Sequence, residues 1–475
     1  MSRTIVIDPV TRIEGHAKIT IYLNDEGEVR DARFHVTQYR GFEKFCEGRP
    51  YTEMPALTAR TCGICPISHL MAASKACDAI LAVRIPDTAV KLRKIVNLAQ
   101  IIQSHALSFF HLSSPDLLLG MDAPIEQRNI LGLAASHPEM ARDGIWLRKF
   151  GQQIIEKIAG KRIHPAWTVP GGVSAPLAPE TREWILSQLP EGIRIIQRVL
   201  EWYKSAYGQF ADEIEYFANF PSLFMSLVNE DDSLEHYDGA LRVVDERRRI
   251  IADRIPSADY QDYISEYVEP DSYLKSPFYK MMGYPEGIYR VGPLARLNCA
   301  ERTGAPLSAV ELFAFRKLSK GAVLSSFHYH YARLIEILFG FERIEQLLNE
   351  SDILSEHVRA HAGPNREEGV GISEAPRGML LHHYKVDRNG LITWANLIIA
   401  TGHNNLAMNR GIAQAAKHYV KGDKIKEGAL NRVEAVIRCY DPCLSCSTHA
   451  FGEMPMRVQL IGPEGTLLDE KIRTI

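Results

Sequence analysis

Two Cys-x-x-Cys pairs near opposite ends of the chain constrain its fold more than any other feature. The pairs are Cys62 with Cys65 and Cys443 with Cys446, and 377 residues lie between them. Each spacing lets two thiolates reach one metal, and together the pairs can complete a four-thiolate site. Ordinary zinc ribbons place their pairs about 15–20 residues apart. If these distant pairs meet, the two ends of the chain come together at its core, so independent domains in series are not expected.

The spacing of the pairs leaves the identity of the metal open. A structural zinc ion, an iron–sulfur cluster or another thiophilic metal would each suit four thiolates. We predict that the other cysteines are buried and free, since such a cysteine behaves as a small apolar side chain; they are Cys46, Cys77, Cys299 and Cys439. They are too scattered to bind an iron–sulfur cluster. A redox metal in this chain would therefore need a partner chain to carry its electrons.

The composition argues against several classes of partner. The chain has 475 residues and a net charge of −3, with no long block of basic residues. Neither nucleic acid nor an anionic membrane is therefore an expected partner. The sequence contains no run of eighteen apolar residues, so no membrane span is predicted. The first residues do not resemble a secretory signal. Paired cysteines without a disulfide scaffold indicate a reducing compartment, so we expect the cytoplasm.

Residue periodicity predicts a mainly helical α+β protein. Alternating apolar residues on both sides of short turns predict two hairpins, 17–23 with 29–36 and 380–386 with 391–399. Helical periods dominate between the hairpins. The candidate helices span 88–112, 181–219, 307–349, 404–420 and 427–440. We expect a large helical core with small flanking β-sheets, in which the N- and C-terminal ends meet at a buried metal site.

Seven motifs together resemble those of a known family, the large (catalytic) subunits of NiFe hydrogenases. They are Arg12-Ile-Glu14-Gly-His16, Arg40-Gly-Phe-Glu43, Arg60-Thr-Cys62-Gly-Ile-Cys65-Pro-Ile-Ser-His69, Ser104-His105 through Pro115-Asp116, Arg290-Val-Gly-Pro-Leu-Ala-Arg296, Glu374-Ala-Pro-Arg377-Gly378 and Asp441-Pro-Cys443-Leu-Ser-Cys446-Ser-Thr-His449. The resemblance covers nearly the whole chain. The wording of 41–48 and 448–449 is most similar to the bidirectional branch that works with NAD.

The resemblance implies a role for each cysteine of the two pairs. All four would bind nickel, and Cys65 and Cys446 would also bridge to an iron that carries carbon monoxide and cyanide. Cys62 and Cys443 would be terminal nickel ligands. A terminal thiolate keeps a free lone pair and can accept a proton. That arrangement suits the heterolytic cleavage of hydrogen, which needs a Lewis-acidic metal facing a base in a site that excludes water.

The resemblance also implies roles for charged residues near the metals. Glu14 would relay protons beside Cys443, since a desolvated glutamate suits proton transfer; the alternative is a surface or ion-paired glutamate. Arg377 would lie over the open bridging position and bond to Asp116 or Asp441, because a buried arginine is costly unless carboxylates pair with it. The alternative for Arg377 is a structural ion pair without a catalytic role.

Two further ligand sets follow from the resemblance. Backbone donors around Pro376 and Arg377, with the Thr401 hydroxyl, are the expected partners of the cyanides. The family usually has a proline before that threonine and a tryptophan after it, whereas this chain has Ala400 and Gly402. Glu43 and His449 resemble ligands of a second site for Mg²⁺ or another divalent ion, completed by a carbonyl oxygen and water.

The family pattern suggests one integrated catalytic subunit. Its approximate parts are 1–86 with the first cysteine pair, 87–370 as helical core, 371–449 with the second pair, and 450–475 as a cleavable extension. In the family a maturation protease removes such a tail after the histidine. A tail that remains in place is expected to hold Cys443 and Cys446 away from a closed site.

The expected activity is reversible hydrogen oxidation, with electrons leaving to an iron–sulfur small subunit. A flavin- and NAD-binding diaphorase module is the expected acceptor, and a deazaflavin or ferredoxin acceptor is the alternative. No Gly-rich dinucleotide fingerprint lies in a strand–helix context here, so NAD would bind to another chain. Two other interpretations are a complex I-like electron-coupling subunit, which would be expected to lack the paired cysteines, and a non-catalytic zinc protein. The zinc interpretation leaves Glu14, Asp116 and Arg377 unexplained.

Overall fold

Helices around a large apolar core make up most of the protein. In the computed structural model, the described residues are 4–421, 425–449, 456–463 and 466–473. The longer helices are Pro66–Leu81, Asp87–Ala106, Pro138–Ala159, Pro179–Ala206, Pro306–Arg316, Tyr329–Leu348, Asn405–Tyr419 and Glu427–Tyr440. Short α-helices are Phe42–Cys46, Met54–Thr58, Ser114–Leu119, Ile130–Ser136, Ala211–Tyr216, Tyr260–Tyr263, Pro293–Cys299 and Ala400–His403. A π-helix spans Leu107–Ser113, and 3₁₀ turns span Tyr51–Glu53, Ala59–Thr61, Tyr207–Phe210, Ser257–Asp259, Lys280–Met282 and Ser326–His328.

Small sheets pack on this helical body. The antiparallel sheet near the N-terminus contains Thr4–Ile7, Ala17–Leu23 and Val29–Val36, and another near the C-terminus contains Glu368–Ala375, Gly378–Val386 and Ile392–Ile398. A mixed sheet in the middle of the chain has the order Tyr289–Arg290, Leu223–Val228, Ala240–Val244 and Ile250–Ile255. Two-stranded pairs join Thr168–Val169 with Gly172–Val173, Ile264–Tyr267 with Ser276–Tyr279, and Met456–Ile461 with Leu467–Arg473.

The structure confirms both predicted hairpins and most predicted helices. Ala17 pairs with Val36 and Leu381 pairs with Ile398, in the antiparallel registers that alternation requires. The expectation of one helical stretch over 307–349 is wrong, because residues 317–325 form no helix between Pro306–Arg316 and Tyr329–Leu348. Gly321 interrupts it, and Ala322 instead donates its N–H to the carbonyl oxygen of Glu246.

Close packing of a helix on a strand brings the two ends of the chain together. The helix Pro66–Leu81 begins directly after Cys65, and it packs against the strand Glu368–Ala375. A Cβ atom on Gly371 would lie 2.1 Å from the carbonyl oxygen of Ala72, so only glycine permits this approach. The first cysteine pair is thereby fixed beside the hairpin that carries Arg377.

The extension after His449 is described only in part. The residues 456–463 and 466–473 contain an antiparallel hairpin, and the segment 450–455 lies outside the described residues. No described helix is both long and apolar enough to cross a bilayer. The division of the chain into approximate parts remains a prediction.

Candidate metal centre

The four paired cysteines form one buried cluster. Their Sγ atoms all lie within 4.8 Å of one another. The separations are 3.2 Å for Cys62–Cys65, 3.4 Å for Cys62–Cys443, 3.7 Å for Cys65–Cys446 and 2.8 Å for Cys443–Cys446. These distances are too long for disulfides, and all four cysteines are free. Since their exposed fractions are 5% or less, the cluster offers four sulfur ligands to a thiophilic metal in a site closed to solvent.

This closed cluster corrects the expectation about the extension. Although strands of the extension are present after position 455, the sulfur atoms of Cys443 and Cys446 remain beside those of the first pair. A retained tail therefore does not hold the second pair away from a closed site. The four remaining cysteines are buried and free, as predicted from the sequence.

The first pair lies in a turn that ends at a helix N-terminus. Cys62 follows the 3₁₀ turn Ala59–Thr61, and its sulfur accepts hydrogen bonds from the N–H groups of Ile64 and Cys65, both at 3.2 Å. Cys65 is the residue before the helix Pro66–Leu81. The partial positive charge of a helix N-terminus favours a thiolate at this position. The local fold thus presents two sulfur atoms on the same side of the turn.

The second pair follows a sharp reversal of the chain at the end of the helix Glu427–Tyr440. Asp441 has φ of 55° there, in the left-handed region that aspartate tolerates better than most residues. The N–H of Cys443 then donates to the Thr401 hydroxyl at 2.9 Å, and Ser447 donates its hydroxyl proton to the carbonyl oxygen of Cys443 at 2.6 Å. Thr401 is therefore in contact with the cysteine segment, as expected for a residue of the metal site.

Burial and mutual contact affect the four thiols differently. Hydrogen bonds shared with Cys443, Cys446 and Cys62, with a further one to His69, lower the pKa of Cys65 well below its usual value. Burial instead raises the pKa of Cys443 and of Cys446 well above it. The charge of a metal cation would overcome that desolvation and deprotonate the ligands. All four sulfur atoms could therefore serve as thiolate ligands once a metal cation is bound.

Arg377 lies at the tip of the hairpin formed by Glu368–Ala375 and Gly378–Val386. Ala375 pairs with Gly378, so Pro376 and Arg377 form the two-residue turn. The guanidinium donates from Nε to the backbone oxygen of Asp441 at 2.5 Å and from Nη2 to its carboxylate at 3.1 Å. Burial alone would lower the pKa of Arg377, but the charges of Asp441 and the cysteines raise it well above its usual value. A fixed positive charge thus faces the cysteine cluster.

Of the two carboxylates predicted as possible partners of Arg377, Asp441 is the one that it contacts, and Asp116 has other partners. Nη1 of Arg377 instead donates to the Ser104 hydroxyl at 3.3 Å. Asp116 accepts hydrogen bonds from Arg12 at 2.5 Å and from Arg438 at 3.0 Å. Asp116 follows the π-helix Leu107–Ser113 within the short helix Ser114–Leu119, and three arginines and Asn431 surround it. Its carboxylate thus binds the chain segments of Arg12 and Arg438 together.

Glu14 lies beside Cys443, as the resemblance implied. The two residues form an isolated β-bridge, and the N–H of Leu444 donates to the backbone oxygen of Glu14 at 3.1 Å. The Glu14 carboxylate accepts the N–H of Ser445 at 3.0 Å and also its hydroxyl proton. Because Glu14 is only partly buried and has these polar partners, the expectation of an apolar setting is wrong. The neighbouring Gly15 has φ of 89°, and its Cβ would lie 2.6 Å from that of Leu444, so glycine is required for this approach.

The residues expected to bind a second cation differ in their surroundings. Glu43 accepts the N–H of Leu397 at 2.9 Å. His449 is 1% exposed, and neither of its ring nitrogens has a hydrogen-bond partner within the described part of the chain. Burial lowers the pKa of His449 to about 3, so the ring is neutral and can donate a lone pair. An unpartnered, neutral, buried imidazole fits a metal ligand.

Sequence reasoning missed several polar residues around the cluster. His69 lies one helical turn after Cys65, and its Nδ1 is 3.1 Å from Nε2 of His382. Nε2 of His164 lies 2.7 Å from the backbone oxygen of Cys62. Ser104 and Ser445 provide the hydroxyl groups that contact Arg377 and Glu14. The i, i+4 spacing of Cys65 and His69 was the one local signal, since the other contacts join residues far apart in the sequence.

Comparisons with known proteins agree with this site. A family model described as nickel-dependent hydrogenase matches residues 40–124 and 227–449, and one described as HoxL-like matches residues 4–39. The chain is 41% identical to the NAD-reducing hydrogenase HoxS subunit beta of Cupriavidus necator, over 100% of both chains. It is 40% identical to a component of the F420-non-reducing hydrogenase vhc of Methanococcus voltae, over 94% of this chain and 95% of that protein.

Solved structures show the same architecture. A crystal structure of an NAD⁺-reducing NiFe hydrogenase in the H₂-reduced state superposes with a TM-score of 0.91 at 44% identity, covering 94% of this chain and 99% of that chain. The Ni-Fe-Se hydrogenase of Desulfovibrio vulgaris Hildenborough has a TM-score of 0.76 at 23% identity, covering 94% and 100%, and shares the fold.

The chain belongs to the nickel-dependent hydrogenase family, as a large subunit that activates hydrogen reversibly. The buried cysteine cluster is its metal centre. Membership confirms the mainly helical fold with small sheets, and it does not favour a complex I-like protein or a non-catalytic zinc protein. Because the relatives are named as parts of larger hydrogenases, a small-subunit partner is implied.

Proposed function

We propose that this chain cleaves hydrogen reversibly at a nickel–iron centre and passes the electrons through an iron–sulfur small subunit to NAD. The observation that carries the proposal is the buried four-sulfur cluster facing the Arg377 guanidinium. The acceptor is proposed from the NAD-reducing relatives, which are 41% and 44% identical to this chain. A ferredoxin or deazaflavin acceptor is the second candidate, and the 40% identity to an F420-non-reducing hydrogenase gives the deazaflavin no support, since F420 is a deazaflavin.

The four cysteines have different proposed roles. Cys62 and Cys443 would hold nickel alone, whereas Cys65 and Cys446 would hold both nickel and an iron that carries carbon monoxide and cyanide. When bound, such a centre supplies a Lewis acid that polarises hydrogen. The position of Cys443 supports its assignment as the proton-accepting thiolate, because its backbone forms the β-bridge with Glu14.

Arg377 provides fixed positive charge on one side of the cluster. Its guanidinium is bonded to Asp441 and Ser104, so it needs no reorganisation when hydrogen is polarised. Asp441 balances that charge in a region closed to water, where electrostatic interactions are strong. Asp116, which does not contact Arg377, acts at one remove by fixing Arg12 and Arg438.

Glu14 provides the proposed exit for protons. A proton held at the sulfur of Cys443 passes to the Glu14 carboxylate, which the N–H and hydroxyl of Ser445 orient. Because Glu14 is only partly buried, its carboxylate can exchange protons with water. The hydrogen bonds from Ser445 keep the carboxylate next to the second cysteine pair.

Two further ligand sets complete the proposal. Thr401 contacts the Cys443 segment, so its hydroxyl, with backbone donors around Arg377, would be the partner of the cyanides. Pro376 lacks an N–H and its carbonyl group accepts from Arg296, so it would contribute shape only. Glu43 and His449 would hold Mg²⁺ or another divalent ion, an assignment that the unpartnered ring nitrogens of His449 support.

The remaining proposals concern assembly. A flavin-containing diaphorase module accepts the electrons, and a maturation protease removes the extension 450–475 after nickel insertion. The cytoplasm remains the predicted location, based on paired cysteines that suit a reducing compartment.

Metal analysis of the purified complex tests the proposal. The chain is purified from its host with its partners, and nickel, iron and zinc are measured by elemental mass spectrometry. We expect about one nickel per large subunit, the stoichiometry that one four-thiolate site provides, together with hydrogen-dependent reduction of NAD. Reduction of ferredoxin or a deazaflavin but not NAD would favour the second acceptor. Zinc alone, in protein cleaved after His449, would contradict the nickel–iron centre.

A further inference from the structure

A buried ionic cluster lies directly behind the turn that carries Arg377. Its members are Arg296, Glu336, Glu374 and His105, and each is 0% exposed. We call these four residues the Arg296 cluster. None of them belongs to the ligand set or to the proposed proton exit, so the proposed function does not account for them.

Arg296 fixes the turn by donating hydrogen bonds to the backbone carbonyl groups of Ala375 and Pro376. Nε and Nη2 each donate to one carboxylate oxygen of Glu336 at 2.6 Å, and Nη1 donates to Glu374 at 2.7 Å. Nη1 also donates to the carbonyl oxygen of Ala375 at 3.0 Å, and Nη2 to that of Pro376 at 3.3 Å. These are the last two carbonyls before Arg377. The guanidinium of Arg296 thus fixes the backbone that leads into Arg377.

Glu336 connects Arg296 to the helix that carries Ser104, the second residue that fixes Arg377. Oε2 of Glu336 lies 2.7 Å from Nε2 of His105 on the helix Asp87–Ala106. The preceding residue, Ser104, accepts the hydrogen bond from Nη1 of Arg377. A single carboxylate on the helix Tyr329–Leu348 therefore joins both elements that set the direction of the Arg377 side chain.

The cost of burying these charges argues against a role in stability alone. Removing charged groups from water is costly, and proteins with apolar side chains of similar volume in their place are often as stable or more so. Burial alone would raise the pKa of Glu336, yet the charge of Arg296 lowers it well below its usual value, so the pair remains ionised. An ionised arginine–carboxylate pair has N–H groups that donate in fixed directions. Unlike an apolar pair, it can therefore orient the carbonyl groups that it binds.

We infer that the Arg296 cluster is a positioning device for Arg377. It fixes the turn through Arg296 and fixes Ser104 through Glu336 and His105, and so aims the guanidinium at the cysteine cluster. This inference rests on the proposed function, in which Arg377 polarises hydrogen. A group displaced by about 1 Å from its productive position can lose about 10²-fold in rate, so distant residues that set this position affect turnover.

Crystal structures of two variants test the positioning directly. Arg296→Gln removes the grip on the carbonyls, and Glu336→Gln keeps the shape of the side chain but removes its charge. In both purified complexes we expect the nickel content of the wild type and lost contacts of Arg377 with Ser104 and with the backbone of Asp441. Arg377 unmoved in both structures would overturn the inference. Loss of nickel from both would also overturn it, because the cluster would then serve assembly of the site.

A double-mutant cycle tests the consequence for turnover. We expect Arg296→Gln to lower kcat for hydrogen oxidation by about 10²-fold, with little change in KM. Combining it with Arg377→Lys should cause little further loss, since both changes remove the same interaction. Multiplied losses would show that Arg296 acts independently of Arg377. Arg93→Gln is the matched control, because Arg93 is also 0% exposed and bonded to a carboxylate and carbonyl oxygens, but away from the turn; it should leave kcat unchanged.

The structural and kinetic readouts separate this inference from the proposed function. A nickel-loaded wild type without hydrogen-dependent activity would contradict the proposed function, whereas the crystal structures would still show whether the cluster positions Arg377. An active wild type with Arg377 unmoved in both variants would contradict the inference alone.

Discussion

The two sides of the cysteine cluster have opposite character. On one side, which we call the arginine side, Arg377 and Asp441 are 3% and 2% exposed, and Ser104 and Arg296 behind them are 0% exposed. On the other, the glutamate side, Glu14 and Ser445 are only partly buried. The segment of the second cysteine pair therefore contacts a dry, fixed array of charges through Asp441 and a carboxylate that can reach water through Ser445.

The difference corresponds to two requirements of the reaction. Charge that stabilises a transition state is most effective when it is fixed beforehand and shielded from water. A proton relay must instead alternate between two protonation states and exchange with solvent. The arginine side meets the first requirement through many hydrogen bonds to backbone carbonyls, and the glutamate side meets the second with a single partly exposed carboxylate held by Ser445.

Replacing Arg377 should produce the largest loss. A lysine keeps the charge but cannot bond simultaneously to the backbone and carboxylate of Asp441 and to Ser104. We expect Arg377→Lys to retain nickel and iron and to lower kcat by about 10³-fold, as for removal of a fixed electrostatic group. Hydrogen-dependent dye reduction, normalised to nickel content, measures this effect.

The control for that change lies in the same sheet. Arg388 is exposed at the opposite turn, between Gly378–Val386 and Ile392–Ile398, so Arg388→Lys should leave turnover unchanged. Near-normal activity of Arg377→Lys with intact metals would show that the arginine side serves only as a structural ion pair.

How far the sequence predicts this centre depends on the range of the contacts. The Cys-x-x-Cys spacing is local, and two such pairs are enough to predict a four-sulfur site. The two hairpins follow from alternation and short turns, which are also local. The Ser104 contact of Arg377 was missed because it joins residues 273 positions apart. The sequence offers Asp116 as a carboxylate for the arginine, and only the packing of Arg12 and Arg438 shows where its charge is balanced.

The middle of the chain shows a second limit. The apolar run Leu223–Val228 is a buried strand of a mixed sheet, whereas the sequence analysis predicts no strand between the candidate helices 181–219 and 307–349. A short apolar run cannot be assigned to strand or helix by periodicity alone, although the preceding Pro221 and the following Asn229 were available signals. The break at 317–325 within the predicted helix 307–349 has a similar origin, since Gly321 was the one local indication.

On the glutamate side, Glu14→Gln should block proton exchange while leaving the metals in place. Glutamine keeps one oxygen that can accept the N–H of Ser445, and its amide group can donate to the Ser445 hydroxyl, so the turn after Cys443 should be preserved. We expect hydrogen–deuterium exchange between the gas and water to fall by about 10²-fold, the lower end of the contribution of a positioned acid–base group. Mass spectrometry of the headspace gas gives the exchange rate.

Two further variants sharpen this test. Glu26→Gln, at an exposed position of the turn between Ala17–Leu23 and Val29–Val36, should not change the exchange rate. Ser445→Ala should slow exchange less than Glu14→Gln, because the carboxylate then loses one hydroxyl donor but keeps the N–H of residue 445. Unchanged exchange in Glu14→Gln would reject the glutamate side as the proton exit.

The smallest expected effect is the acid sensitivity of the arginine side. Burial lowers the pKa of His105 to about 3, whereas histidine in the unfolded chain titrates near 6.5. Below that value the unfolded chain binds the proton and the folded protein does not, so the free energy of unfolding falls by about 1.4 kcal/mol per pH unit as pH decreases from about 6.5 towards 3. Between pH 6.5 and 5, His105→Gln should therefore lose about 2 kcal/mol less than the wild type, measured from urea unfolding midpoints. His357→Gln, at an exposed site, should show the same pH dependence of the free energy of unfolding as the wild type. If His105→Gln also showed the wild-type pH dependence, His105 would be protonated within the folded arginine side.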